Sequence, residues 1–205
     1  MRVGISVQVL LMLLAVVASA QTDDLLISEY VEGSVLNNAI EVYNGTSDNL
    51  NLAGYAIERY SNGTTTAVSI PLSAVDLEPG EVFVIAHTSF TQPQLANQLS
   101  DDLNFDGNDA LVLAFNGEPV DRIGRVGEDP GEYWSCTGGT TQNHTLRRLV
   151  GVCVGSDVPG DPFDPCDTWE FLPVDTFDGL GSHTADCGTV EIATTPWGGV
   201  KALFR

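Results

Sequence analysis

The sequence predicts an all-β fold, either a sandwich or a barrel. Between residues 25 and 126, seven apolar segments of about five to eight residues alternate with turn residues, a spacing typical of such folds. The chain has 21 Gly and 10 Pro among 205 residues, which favours many turns. Its hydrophobic content of 43% is enough to bury a core, so we do not expect disorder.

The predicted strands follow one another along the first part of the chain. They are Leu25–Val31, Ala39–Tyr43, Tyr55–Tyr60, Ala67–Leu72, Val82–His87, Ala110–Phe115 and Pro119–Val126. Dipeptides that favour tight turns with positive φ are Asn44-Gly45, Asn62-Gly63, Asp106-Gly107 and Asn116-Gly117. The most apolar run, Val82–Ala86, is expected at the centre of a sheet with both faces buried. A short helix is expected only at Gln92–Leu99.

After Gly127 the composition changes. Residues 127–187 hold all four cysteines and the Asp-Pro pairs, and within them only Thr145–Val154 resembles a strand. We expect this segment to wrap the sandwich as disulfide-held loops, within one domain that spans residues 25–187. A separate domain is the alternative, but about 60 residues with so little periodic apolar sequence would be marginal alone. Residues 188–205 would form a short C-terminal tail.

The first twenty residues have the three parts of a secretory signal peptide. Arg2 supplies the positive charge, Ile5–Val17 is the apolar run, and Ala18-Ser19-Ala20 is a small-residue cleavage site. A transmembrane anchor is less favoured, because the run has about 13 residues where a membrane span needs about 20. We therefore expect cleavage after Ala20, no transmembrane segment in the mature chain, and a secreted or surface-associated protein.

The four cysteines fit an exported protein. Cys136, Cys153, Cys166 and Cys187 would form two disulfides, with three possible connectivities. Short local loops favour Cys136–Cys153 with Cys166–Cys187, and the nested alternative is Cys136–Cys187 with Cys153–Cys166. A zinc site is not favoured, because no C-x₂-C pair is present.

The charge of the chain excludes some partners. With 28 acidic and 8 basic residues, its formal net charge is -20. A broad basic face for phosphates cannot be built from this composition, so we expect no direct nucleic-acid binding. An anionic lipid surface would also repel the chain.

Two acidic clusters are candidate calcium sites. The first begins like an EF-hand loop, with Asp102, Asn104 and Asp106 at alternate positions and Gly107 in the sixth position. Its twelfth position is Leu113 where the loop needs Glu, so a β-hairpin with an Asp-Gly turn is preferred over weak calcium binding.

The second cluster comprises Asp157, Asp161, Asp164 and Asp167, interleaved with prolines that stiffen the loop. A solvated acidic loop is the preferred interpretation, and an extracellular calcium site of modest affinity is the alternative. Apart from calcium, no cofactor is expected.

No catalytic constellation is found in the sequence. His87, His144 and His183 lack H-E-x-x-H spacing, and no G-x-S-x-G motif occurs. Ser182 and His183 are adjacent, and adjacent residues of an extended chain point to opposite faces, so they make a poor nucleophile–base pair. We predict that the protein is not an enzyme.

A series of short motifs is spread in order over residues 25–184. They include Ile27-Ser28-Glu29-Tyr30, Ala39-Ile40-Glu41-Val42-Tyr43-Asn44, Leu52-Ala53-Gly54-Tyr55, Leu77-Glu78-Pro79-Gly80-Glu81, Val120-Asp121-Arg122-Ile123-Gly124, Thr145-Leu146-Arg147-Arg148 and Asp175-Thr176-Phe177-Asp178-Gly179-Leu180-Gly181-Ser182-His183-Thr184. Together they resemble the lamin tail domain family in its exported prokaryotic form. The resemblance implies an immunoglobulin-like β-sandwich without catalytic residues.

The same resemblance implies a role in binding. In nuclear lamins the domain is an interaction module, and in prokaryotes similar domains accompany exported nucleases and other hydrolases. We therefore expect a secreted, non-catalytic module for binding, adhesion or tethering, whose partner is an extracellular protein or a component of the cell surface or matrix. The alternatives are an accessory module of an exported hydrolase, of nuclease or phosphoesterase type, and a calcium-stabilised surface structural protein.

Overall fold

The computed structural model describes residues 18–19, 22, 24–187 and 189–190. The chain divides into two units, Gln21–Cys187 on the one hand and Met1–Ala20 with Gly188–Arg205 on the other. In the second unit, two strands, Ala18–Ser19 and Thr189–Val190, are described, and they pair antiparallel. The predicted signal peptide and C-terminal tail otherwise lie outside the described residues. Within the described residues, none of the helices is long and apolar enough to span a membrane.

Strands dominate the described residues. In chain order they are β1 (Ala18–Ser19), β2 (Leu26–Glu32), β3 (Asn38–Tyr43), β4 (Leu50–Asn51), β5 (Tyr55–Tyr60), β6 (Val68–Pro71), β7 (Asp76–Leu77), β8 (Val82–Ala86), β9 (Gln98–Leu99), β10 (Ala110–Phe115), β11 (Glu118–Ile123), β12 (Ser135–Cys136), β13 (Gly139–Thr140), β14 (His144–Arg148), β15 (Trp169–Pro173) and β16 (Thr189–Val190). Two 3₁₀ helices cover Pro93–Leu95 and Pro165–Asp167.

Two sheets make up the sandwich. The larger sheet has the strand order β15-β14-β2-β3-β8-β9, and the smaller has the order β11-β10-β5-β6. Neighbouring strands are antiparallel in both sheets, except that β9 pairs parallel with β8. Side chains from both sheets, among them Ile40 and Leu111, form one buried cluster. The predicted all-β sandwich is therefore confirmed.

All seven predicted strands are present, as β2, β3, β5, β6, β8, β10 and β11. As expected, β8 is largely buried, but it lies second from the edge of its sheet because only the short β9 follows it. The segment predicted as a short helix holds only the 3₁₀ helix Pro93–Leu95. Asn62-Gly63 and Asn116-Gly117 adopt the predicted positive φ values in the connections that follow β5 and β10.

The other two dipeptides do not form the predicted hairpin turns, although the Asp109 N–H donates to the Asp106 carbonyl at 3.1 Å and closes a turn there. Neither Asn44-Gly45 nor Asp106-Gly107 adopts positive φ. The Asn44 side chain is buried and donates a hydrogen bond to the Leu77 carbonyl at 2.8 Å. It therefore links the segment after β3 to β7. Asp106 lies in the connection between β9 and β10, and β10 pairs with β5 and β11, so the hairpin expected at this Asp-Gly pair is absent.

Residues 127–187 do more than wrap the sandwich, and this corrects the sequence prediction. They supply β14, which lies between β2 and β15 in the larger sheet, as well as β15 itself. Leu146 of β14 and Trp169 of β15 are part of the main core. The sequence signal is weak because β15 has the sequence WEFLP, which is short and ends in proline, a residue typical of edge strands.

Candidate functional site

Two open cavities lie beside the chain that follows β14. The aspartate cavity, about 330 Å³ in volume, is lined by several aspartates together with Arg122 and Arg148. The histidine cavity, about 510 Å³ in volume, has Arg147, Asp178 and His183 in its wall. Such volumes are in the range of ligand-binding clefts.

Residues 149–158, here called the valine loop, contribute to both cavities. Leu149 and Val150 line the histidine cavity, and Val154 and Val158 line the aspartate cavity. Their exposed fractions are 40%, 58%, 65% and 49% in that order. Of the eleven large apolar side chains that are exposed among the described residues, four therefore fall within this one loop.

A buried ion pair lies beneath the aspartate cavity. Arg148 of β14 pairs with Asp121 of β11, and the Arg148 Nε donates to the Ile27 carbonyl at 2.8 Å. The Asp121 carboxylate also accepts from the backbone N–H groups of Ile27 and Ser156, each at 2.9 Å. Since β14 and β11 belong to different sheets, this pair joins the two halves of the sandwich. Burial lowers the pKa of Arg148, and the charge of Asp121 opposes that shift.

Arg122, also in the cavity wall, is only 5% exposed and differs from Arg148 in its partners. Its terminal nitrogens donate to the carbonyls of Gly124 and Pro162, and its Nε has no hydrogen-bond partner. In the described part of the chain, no carboxylate forms a salt bridge with it. Burial lowers the pKa of Arg122, while the charge of Asp161 raises it. The wall therefore contains a buried cation without a directly bonded anion.

The structure brings the second predicted acidic cluster together. Asp157, Asp161 and Asp164 all line the aspartate cavity. Asp164 also accepts a hydrogen bond from the Cys166 N–H at 2.9 Å and so caps the second 3₁₀ helix. Among the described residues, the one set of three or more His, Cys, Asp and Glu with ligand atoms within 4.8 Å of one another is Cys136, Asp164 and Cys166. Its two sulfurs are joined in a disulfide, so this set is not evidence for a metal site. Calcium binding by the aspartates therefore stays a prediction.

The first predicted cluster lies on the connection between β9 and β10. Asp102, Asn104 and Asp106 are exposed, whereas Leu103 and Phe105 between them are buried. This alternation directs the three oxygen-bearing side chains to the solvent side of one extended segment. Calcium binding here also stays a prediction.

The disulfides form as expected, but the predicted pairing is wrong. The bonds join Cys136 to Cys166 and Cys153 to Cys187, which is the third connectivity. The β12–β13 hairpin packs on Phe171 of β15, and this contact places Cys136 beside Cys166.

The second bond has a similar cause. The Asp186 N–H donates to the Val150 carbonyl at 2.6 Å, which brings Cys187 beside Cys153. Loop length alone therefore could not identify the partners. The pairing of β14 with β15 determines which of the flanking cysteines lie close together.

Buried carboxylates hold the Asp178–Thr184 motif beside the histidine cavity. Glu29 of β2 is 1% exposed and pairs with the Arg147 Nε at 2.9 Å, and Arg147 also pairs with Asp178 at 2.8 Å. Burial raises the pKa of Glu29 to about 7, although Arg147 lowers it. A Cβ atom on Gly179 would collide with the ends of the Glu29 and Arg147 side chains, so any other residue here would displace the pair.

A second carboxylate acts in the same way. Glu41 of β3 accepts hydrogen bonds from the Ser28 hydroxyl at 2.7 Å and from the Gly181 N–H at 2.6 Å. Burial raises its pKa as well. Neither Glu29 nor Glu41 is predicted from the sequence as a functional residue. The signal that identifies them is an acidic residue inside an apolar strand pattern.

His183 lines the histidine cavity as a neutral side chain. Burial lowers its pKa to about 4, and the nearby charges of Arg148 and Arg147 add to this shift. Its ring packs edge-on against Tyr43 with centroids 4.9 Å apart, and its Nε2 has no partner. In the described residues no hydrogen bond joins it to Ser182, whose N–H donates to the Gly179 carbonyl. These contacts stabilise a loop.

The two packed antiparallel sheets, with cavities beside the connecting loops, define an immunoglobulin-like β-sandwich. A family model described as Lamin Tail Domain matches residues 18–127, more than half of the chain. The chain therefore belongs to the lamin tail domain family, as the resemblance predicted. No curated protein matches it. The family match ends before β14, so the valine loop lies outside it.

Proposed function

We propose that this protein is an exported, non-catalytic module that binds a partner at the cell surface or in the extracellular matrix. The observation that carries the proposal is the concentration of exposed apolar side chains on the valine loop. Large exposed apolar patches are rare on monomeric soluble proteins and mark interaction sites. Loops that a rigid β-scaffold positions are also the usual binding elements of sandwich domains.

Support for export comes from the two disulfides. Such bonds persist in oxidising compartments, so they indicate an extracellular or otherwise oxidising environment. The signal-peptide pattern before Gln21 is consistent with this environment. Secretion with cleavage after Ala20 is part of the proposal.

A binding assay on cells tests the function. Labelled protein is added to cells that lack it, and bound label is measured against concentration. We expect saturable binding that unlabelled protein displaces. Val150→Ser with Val154→Ser should weaken binding at least tenfold, because both side chains would leave a partner's apolar surface. The matched control is Val35→Ser with Val68→Ser, which removes two exposed valines outside the valine loop.

Two outcomes would reject the proposal. One is the absence of saturable binding, and the other is an equal loss of binding in the control variant. Hydrolysis of DNA, phosphoesters or peptides by the purified protein with added divalent ions would show instead that the chain is itself a hydrolase.

A calcium-stabilised structural protein is the second candidate. Its support is the shared solvent-facing side of Asp102, Asn104 and Asp106. Calcium that binds only the folded chain would raise the melting temperature by mass action. Identical thermal unfolding in EDTA and in millimolar calcium would reject this candidate.

A further inference from the structure

We propose that the Asn116-Gly117 turn is a site of spontaneous covalent modification, at which Asn116 deamidates to aspartate and isoaspartate. The turn joins β10 to β11, and both of its residues are exposed, with positive φ values of 52° and 85°. The chain contains three Asn-Gly pairs, which have the same reactive dipeptide and differ in their surroundings: Asn44-Gly45, Asn62-Gly63 and Asn116-Gly117.

The reaction needs a free side-chain amide and a free backbone nitrogen. The nitrogen of the residue after asparagine attacks the side-chain Cγ and the bond from Cγ to Nδ2 breaks, so that a five-membered succinimide forms. The proton of the attacking nitrogen leaves with the departing ammonia. Water then opens the ring at either carbonyl, which gives aspartate or isoaspartate. Glycine favours the attack, because it has no Cβ that would crowd the ring or restrict the backbone.

The Asn116-Gly117 turn meets both conditions. In the part of the chain that the structure describes, the Asn116 side chain takes part in no hydrogen bond, and the Gly117 N–H donates to no acceptor. The Asn116 Oδ1 lies near the exposed Gly54, a contact that leaves the side chain able to rotate. Nothing lies within 4 Å of a Cβ atom added to Gly117, so the ring has room to form.

Asn44 is protected by its hydrogen bonds. Its side chain is fully buried, and its Nδ2 donates to the carbonyls of Asp48 and Leu77 at 2.9 and 2.8 Å. Its Oδ1 accepts from the Thr46 hydroxyl at 2.7 Å. Loss of ammonia would break both donor bonds inside the protein, where unpaired polar groups are costly. We therefore expect no deamidation at Asn44 while the chain is folded.

Asn62 is an intermediate case. It is exposed, but its Oδ1 accepts from the Asn108 Nδ2 at 3.2 Å and its backbone N–H donates to Asp109 at 3.0 Å. A Cβ atom added to Gly63 would lie 2.8 Å from the Asp129 nitrogen, so another part of the backbone packs against this glycine. These contacts hold the amide and leave little room for the ring, and the reaction at Asn62 should be slower than at Asn116.

The isoaspartate product should weaken the hairpin. Its main chain runs through the former side chain and is one carbon longer than that of aspartate. Phe115 pairs with Glu118 across the two-residue turn, so the longer connection disturbs the register of β10 and β11 at this end. Ordinary aspartate adopts positive φ more readily than most residues and should leave the hairpin intact.

Peptide mapping by mass spectrometry tests the inference on the intact, disulfide-bonded protein after incubation at pH 8. Deamidation is detected as the replacement of an amide by a carboxyl group, and chromatography separates isoaspartate from aspartate. We expect Asn116 to react about tenfold faster than Asn62, and Asn44 to remain unmodified. The control is the reduced protein unfolded in guanidinium chloride. There the three pairs should react at rates within about twofold of one another, because the fold no longer distinguishes them.

Two results would overturn the inference. One is an equal rate at Asn116 and Asn62 in the folded protein, because the surroundings would then have no effect. The other is an Asn116 that stays unmodified while the unfolded control reacts, because the turn would then protect it. The effect on the hairpin is measured by hydrogen exchange at Phe115 and Glu118, which should be faster in the isoaspartate product than in Asn116→Asp. Equal exchange in the two would reject that effect.

Discussion

Residues 25–126 and residues 127–187 are held in the fold by different forces. Of the 20 buried residues in the main core cluster, all but Leu146 and Trp169 come from the earlier region. The later region instead contributes every disulfide cysteine as well as Arg147 and Arg148, whose ion pairs reach back to β2 and β11. Apolar burial makes the first region a scaffold. Ion pairs and the pairing of β14 with β2 attach the second region to it, and the two disulfides crosslink the second region within itself.

The largest effect should come from the link between the two regions. Asp121→Asn keeps the shape of the side chain but leaves Arg148 buried without its anion, which we expect to cost about 4 kcal/mol in unfolding free energy. Urea denaturation measures this cost. The control is Glu128→Gln at the exposed Arg125–Glu128 pair, which should cost less than about 1 kcal/mol. Equal costs would show that the buried pair is not the main link.

The same comparison explains what the sequence could predict. Strands such as β3 and β8 bury many apolar side chains, so their pattern is visible in the sequence. β15 was missed because much of its stabilisation comes from pairing with β14 and from the Phe171 contact with the β12–β13 hairpin, which are not local. Its sequence therefore carries little strand signal of its own.

The candidate site shows the same limit. The acidic residues Asp157, Asp161 and Asp164 could be recognised from their spacing, since they lie in one short loop. Their neighbour Arg122 could not, because it lies on β11 and only the packing of the valine loop brings it into the same cavity. The disulfide partners were missed for the same reason: tertiary contacts, and not loop length, bring them together.

The disulfides give the next largest effect. Their sequence separations are 30 and 34 residues, so each bond should contribute about 3.7 kcal/mol by constraining the unfolded chain. Replacing Cys153 and Cys187 by Ser should speed hydrogen exchange in the valine loop first and leave β2 and β3 protected. The matched control replaces Cys136 and Cys166, which should loosen the β12–β13 hairpin instead. Simultaneous opening of β2 and β3 would contradict the view of a scaffold with an attached region.

A smaller effect is expected where the two regions touch at a glycine. Gly179→Ala would push a methyl group against Glu29 and Arg147, and we expect a loss of about 2 kcal/mol. Gly151→Ala is the matched control, because nothing lies within 4 Å of its added Cβ. Thermal unfolding of both variants gives the comparison. A loss of stability in the control alone would show that the Gly179 contact has no role.

The smallest effect depends on pH. Glu29 has a folded-state pKa of about 7 against a usual value of 4.5, so the folded chain binds its proton more tightly. The resulting stability is fully present below pH 4.5 and is lost as the pH rises through 7. His183 acts in the opposite direction: its pKa falls from 6.5 to about 4, so its contribution is lost as the pH falls through 4. The two effects oppose each other in the wild-type protein, and only a variant can separate them.

Glu29→Gln removes the first contribution and keeps the second. We therefore expect Glu29→Gln to lower the unfolding free energy by about 1–2 kcal/mol less at pH 8 than at pH 5. At pH 8 the Glu29 carboxylate of the wild-type protein is ionised, and this is the unfavourable form in a buried position. Denaturation at both pH values measures the difference. Asp178→Asn, which removes the largely exposed partner of Arg147, is the control and should cost less than about 1 kcal/mol. If the cost of Glu29→Gln instead grows toward pH 8, the attraction of the Glu29 carboxylate to Arg147 outweighs the cost of its burial. The later region would then be attached to β2 by an ion pair, as it is attached to β11 by Arg148 and Asp121.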